Sequence, residues 1–100
     1  THAHYEPEAN RVLEGTVKDF DWRNPHSWVT LTVINAETGV AEDWLLEARA
    51  PVALIRRGWT QESLQPGDQV AVTVRPLKSG GAGGLLREVA FPDGTILLDD

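Results

Sequence analysis

Apolar and polar residues alternate over several short stretches of this chain. Leu13, Gly15 and Val17 alternate with Glu14, Thr16 and Lys18, the period expected of a strand with one buried and one wet face. Gly15 inside that run marks a bulge or a sharp coil of the sheet. Trp28 to Ile34 is rich in Val, Thr, Leu and Ile and predicts a second strand, ended by the hairpin signal Asn35-Ala36-Glu37-Thr38-Gly39. Trp44 to Ala48 predicts a short third. The pattern then changes: Pro51 opens Val52-Ala53-Leu54-Ile55-Arg56-Arg57, with proline in the first turn, cations in the last and Gly58 just beyond, the signature of a short helix. Thr60 is placed to cap a further turn through Leu64, and Pro66-Gly67 suits a tight turn.

Alternation resumes at Val70, Val72 and Val74, and Pro76 closes that fourth strand. Lys78-Ser79-Gly80-Gly81-Ala82-Gly83-Gly84 predicts a flexible loop, Leu85 to Phe91 a fifth strand, and Pro92-Asp93-Gly94 a turn into Ile96-Leu97-Leu98. Residues 1–10 are polar and without period, an arm that is ordered only if something ties it down; residues 11–98 form one domain. Three strands, a helix and two more strands are the element order of an OB-fold. The expected class is therefore all-β: a five-stranded Greek-key barrel with one short helix between the third and fourth strands.

Composition narrows the function. A chain of 100 residues that is 41% hydrophobic supports one core. A formal net charge of −6 opposes nucleic-acid binding and attraction to an anionic membrane surface, so small molecules, cations and proteins remain as partners. No apolar run is long enough for a transmembrane span, and the polar start is expected of a mature, processed chain. With no cysteine, disulfides, thiolate metal sites and cysteine nucleophiles are excluded.

The densest chemistry lies in Trp22-Arg23-Asn24-Pro25-His26-Ser27-Trp28, a rigid corner that holds an imidazole between two tryptophans. His26 either braces the corner or presents a ring nitrogen to a ligand or metal. It lies in the loop after the first strand, one of two that OB-folds use for ligands; the other corresponds to the glycine-rich loop. Of the four tryptophans, Trp22 and Trp28 are candidates for a stacking surface, whereas Trp44 and Trp59 suit the core, Trp59 as a plug for one barrel end. Glu47, in the third strand, is a charge where alternation gives little reason to bury one, and Arg56 or Arg57 is its expected ion-pair partner. The expected ligand contacts are Trp22, Asn24, His26, Trp28, Glu47 and Arg56. Asp99 and Asp100 are expected in a solvated tail.

His2 and His4 are the metal candidates, with His26 as a third nitrogen. A Thr1 amine, the next amide and the His2 imidazole suit Cu(II) in a planar arrangement. Ser27 adjoins His26, but neighbours on an extended chain face opposite ways and no nucleophile elbow is present, so no enzymatic activity is expected. A third class, a subunit of an envelope assembly, would use Ile96-Leu97-Leu98 as its interface.

Several of these residues also carry a family resemblance. Gly15-Thr16-Val17, Phe20-Asp21-Trp22-Arg23-Asn24-Pro25-His26, Trp44 with Glu47, Arg56-Arg57-Gly58-Trp59, Gly67-Asp68, Gly84-Leu85-Leu86 and Asp93-Gly94 resemble a family of small exported bacterial proteins of unknown function. The likeness runs from about Tyr5 to Leu97 and implies export through a signal peptide, hence a periplasmic setting. Members often begin with adjacent histidines, whereas here Ala3 separates His2 from His4. The family brings no activity with it.

Overall fold

In the computed structural model, which describes residues 2–100, strands β1 (Arg11–Asp21), β2 (Ser27–Ile34), β3 (Ala41–Ala48), β4 (Gln69–Pro76) and β5 (Gly83–Ala90) alternate inward apolar and outward polar residues. They close on one another. β1 pairs antiparallel with β2 and with β4, β2 with β3, and β4 with β5, while β3 and β5 join in parallel. The ring β1-β2-β3-β5-β4, with helix α1 (Pro51–Ile55) between β3 and β4, is the expected five-stranded barrel of OB-like order. A sixth short strand, β6 (Ile96–Leu98), adds to the far half of β5, and Ile96 and Leu98 stay exposed.

The barrel is filled by Val17, Val29, Leu31, Leu46, Val72, Val74, Leu86 and Val89, all essentially inaccessible to water. Such a core accounts for most of the favourable free energy of folding. The connection between β3 and β4 adds Leu54, Trp59 and Leu64 to it. Trp59 donates its ring N–H to the carbonyl of Leu98 at 2.9 Å and packs against Phe20, whose ring in turn meets Trp22 edge to face. Trp59 is thus the expected plug, tied to β6. Trp44 is buried in the same core, with the Arg11 guanidinium 5.0 Å over its ring.

Local expectations meet mixed outcomes. The Asn35–Gly39 hairpin forms, with the Asn35 side chain accepting from the amides of Glu37 and Thr38. Gly67 takes φ of 96°, as the Pro66-Gly67 turn requires. Residues 60–64 make the expected capped turn, the Thr60 amide donating to Ser63 Oγ and the Glu62 amide to Thr60 Oγ1. The β1 bulge lies between Val17 and Asp19, not at Gly15. Gly15 serves close approach instead: a Cβ there would stand 2.4 Å from the Thr32 carbonyl oxygen of β2.

The arm does not hang free. Tyr5 bridges to Leu77, the His4 carbonyl accepts from the amide of Lys78 at 2.9 Å, and the amide of Glu6 donates to Pro76 at 2.9 Å. The glycine-rich loop therefore begins against the arm.

Gly15→Ala must push the β1 and β2 backbones apart, at a cost of about 1–3 kcal/mol. Urea unfolding reads this as a lower midpoint at unchanged slope; an unchanged midpoint would show that the two strands are not in such close contact.

Candidate functional site

In β3, alternation sends Trp44, Leu46 and Ala48 into the barrel and Leu45 and Glu47 outward. Glu47 is nevertheless only 5% exposed. What buries it is the arm: the Tyr5 hydroxyl donates to Oε1 of Glu47 at 2.7 Å, and Tyr5 is itself buried outside the barrel core. The other oxygen, Oε2, lies 3.3 Å from Nδ1 of His26. Burial, the hydrogen bond and the carboxylate charge together push the Tyr5 hydroxyl well above the usual phenol range, so it stays a donor.

His26 follows the cis Asn24-Pro25 bond and is partly exposed, while Ser27 beside it is wholly buried with its hydroxyl unpartnered. Imidazole and hydroxyl thus face opposite ways, as expected for neighbours entering β2. A carboxylate oxygen beside Nδ1 favours the proton on that nitrogen, because two lone pairs so close repel. In the neutral ring this leaves Nε2 as an acceptor.

The imidazole borders an open cleft of about 230 Å³. The cleft exists because the β3–β5 pairing ends at Glu47 and Leu85, beyond which the two strands part. Its walls are His26 and Pro25 from the corner, Glu47 to Ala50 at the end of β3, Ala53 of α1, Leu85 and Arg87 of β5, and Asp99. Asp99 bridges the opening. Its amide donates to the Arg87 carbonyl at 2.8 Å, and its Oδ2 accepts from the Arg49 amide at 3.2 Å. Oδ1 lies 3.2 Å from Nε of Arg49, yet the two are misaligned for a hydrogen bond and both remain unpartnered. Asp99 is 3% exposed, and burial raises its carboxyl to about 6 against the pull of Arg49, Arg57 and Arg87.

Of the expected ligand contacts, His26 and Glu47 meet at this cleft. Trp28 stands opposite Glu47 in the β2–β3 register, outside the cleft, and Trp22 packs on the core. Arg56 is exposed on the turn after α1 and does not line the cleft; Glu47 has Tyr5 and His26 where an arginine was expected. Arg57 donates to the carbonyls of Ala53 and Asp100. Residues 78–84 do not border the cleft: Gly83 and Gly84 pair with Leu45 and Leu46, at the end of the β3–β5 pairing away from it. Asp99 is not a solvated tail residue but part of the wall. Tyr5, Arg49, Arg87 and Asp99 were missed by sequence reasoning; the one available signal was Tyr5, the single tyrosine of the chain, in an otherwise polar arm.

Among the expected metal ligands, Thr1 and the His2 side chain lie outside the described residues. His4 is exposed, and no group of three or more histidine, aspartate or glutamate side chains converges among the described residues. Among the described residues no helix is long and apolar enough to cross a membrane.

Two predictions follow from this geometry. Tyr5→Phe leaves a buried carboxylate oxygen without its donor and lowers stability by about 1–3 kcal/mol. Denaturant unfolding checks it, and an unchanged stability would mean the arm does not bury Glu47 in solution. Asp99 protonates more readily folded than unfolded, where its carboxyl has the ordinary value of 3.8. Its contribution to stability is therefore greatest below about pH 4, declines as the pH rises to about 6, and is level above. Thermal unfolding of Asp99→Asn should gain on the parent over that interval and keep a constant lead beyond it; parallel curves would contradict the burial of a charged Asp99.

Comparison with curated proteins and with solved structures finds no match. The family of unknown function DUF6152 does match, over residues 1–87, a span that holds the arm with Tyr5, the corner, the five barrel strands apart from the end of β5, and the cleft residues His26, Glu47, Arg49 and Arg87. On that match, the chain belongs to the DUF6152 family.

Proposed function

We propose that the protein is a non-enzymatic binding domain of the bacterial periplasm that takes a small ligand into the cleft where β3 and β5 part, with His26 as its central contact. The observation that carries this reading is the chain of contacts Tyr5–Glu47–His26, which spends a buried carboxylate on orienting one imidazole at the rim of an open cavity. Arg49, whose side chain is 42% exposed, and Arg87 stand in the same walls and supply N–H donors. Ala48, Ala50, Ala53 and Leu85 supply an apolar lining, the mixture that small-molecule sites favour. Asn24 and Pro25 frame the imidazole. Ser27, the hydroxyl next to His26 in the chain, faces inward, which supports binding over catalysis by that pair. The periplasmic setting rests on the sequence resemblance to exported proteins.

A second reading, a Cu(II) or other divalent site made by His2, His4 and His26, is favoured by the anchoring of the arm, which lays Tyr5 against the same carboxylate that faces His26. Calorimetric titration with Cu(II) and Zn(II) separates the two. Stoichiometric binding lost in His2→Ala/His4→Ala supports the metal reading, and no heat from either metal ends it.

For the leading reading, a library of small molecules is screened by two-dimensional NMR. Ligands are expected to shift the amides of residues 47–50 and 85–87, and to bind at least about tenfold more weakly to His26→Ala, the loss of one good polar contact. A set of hits indifferent to His26→Ala would overturn the assignment of the cleft.

A further inference from the structure

Three guanidinium groups, those of Arg49, Arg57 and Arg87, act on a single buried carboxylate, Asp99. Two of them, Arg49 and Arg87, line the cleft itself. The seat of that carboxylate is informative: a backbone amide, that of Arg49, meets one oxygen at 3.2 Å, and a guanidinium nitrogen of the same residue stands 3.2 Å from the other without a hydrogen bond. Of the two carboxylates in the walls, Glu47 is engaged by Tyr5 and His26, so at the Asp99 end two guanidinium groups, Arg49 and Arg87, stand against one carboxylate. The remaining surroundings are short and apolar, and the cavity of about 230 Å³ matches the liquid volume of roughly eight waters, the size of a small organic molecule.

We infer that the cleft recognises a small organic acid, whose carboxylate takes the edges of Arg49 and Arg87 that Asp99 leaves unused, and that Asp99 holds this anion site partly closed by its own charge. The inference rests on the cleft being the ligand site and names its ligand class. Asp99 places a negative charge beside the incoming carboxylate, so the bound anion and the ionised Asp99 oppose each other. The charged and titratable groups facing Asp99 are Arg49 beyond β3, Arg57 beyond α1 and Arg87 of β5; His26 and Glu47 lie across the cleft, and Asp100 is the next residue along. Burial raises the Asp99 carboxyl to about 6, so mild acid removes the opposing charge while a typical organic acid stays ionised. Binding should then tighten as the pH falls.

The probes are benzoate and its neutral counterpart benzamide, titrated into the full chain and followed through the Arg49 and Arg87 side-chain N–H signals and the backbone amides around them. Benzoate is expected to bind at the cleft, to bind more tightly at pH 5 than at pH 7.5, and to bind Asp99→Asn roughly tenfold more tightly than the parent at pH 7.5. Arg49→Gln should abolish the effect. Any pH dependence from His26 survives in Asp99→Asn, so the part lost there belongs to Asp99. Benzamide binding as well as benzoate, or an Asp99→Asn variant that binds benzoate no better, would overturn the inference and leave the cleft as a site for neutral ligands. Benzoate without effect on the cleft, in a protein whose cleft does respond to other library compounds, overturns it as well. If neither benzoate nor any library compound reaches the cleft, the underlying reading falls with it.

Discussion

Glu47 is the constraint around which this molecule is arranged. A carboxylate on the outer face of a strand ordinarily rests in water, and covering it without partners would be strongly unfavourable. Here it is covered, and each of its oxygens meets one group from elsewhere in the chain, the Tyr5 hydroxyl and the His26 imidazole. That pairing holds the arm on the barrel wall, where Tyr5 is buried outside the main core. It also sets the orientation of the one imidazole that borders the cleft. Arm, corner and third strand are thereby coupled through a single side chain.

The cleft follows from how the barrel closes. β3 and β5 run parallel for three paired positions and then separate, leaving a gap that neither strand can fill with its own backbone. Asp99 spans that gap, bonded by its amide to β5 and by its carboxylate to the residue after β3. Because the bridge is a charged side chain rather than another strand, the gap remains a cavity instead of becoming continuous sheet. The proposed site accordingly lies at the least regular part of an otherwise regular barrel.

The barrel was largely legible in the sequence. Alternation at Leu13 to Val17 and Val70 to Val74, the proline and glycine bounding α1, and the turn residues at Asn35 and Gly67 each reflect local forces that act over a few residues, and local forces leave local patterns. Trp59 was legible as a plug for the same reason, since a large aromatic just past a short helix has few other places to go. The role of Gly15 was not, because a strand-interior glycine serves a bulge and a close approach equally well, and only the Thr32 carbonyl on the neighbouring strand distinguishes them.

The site was half legible. His26 and Glu47 stood out as an imidazole on a rigid corner and a charge out of pattern, and they do meet. Their partners did not stand out. Tyr5 lies 42 residues from Glu47 in a segment without period, and Asp99 lies 50 from Arg49 in what looked like a wet tail. Contacts of that separation depend on closure of the whole barrel, which no short window of sequence contains. Arg56 or Arg57 was expected where Tyr5 stands, because an arginine is the usual answer to a buried acid, and a phenol held as a donor is a rarer one. The measurement that tests the central claim most directly is the ¹⁵N spectrum of the His26 ring in the free protein, recorded on the neutral form of the ring. Glu47 holding Nδ1 predicts a single tautomer with the proton on Nδ1 and an unprotonated Nε2 open to the cleft; a ring protonated on Nε2, or averaging between tautomers as free histidine does, would contradict it.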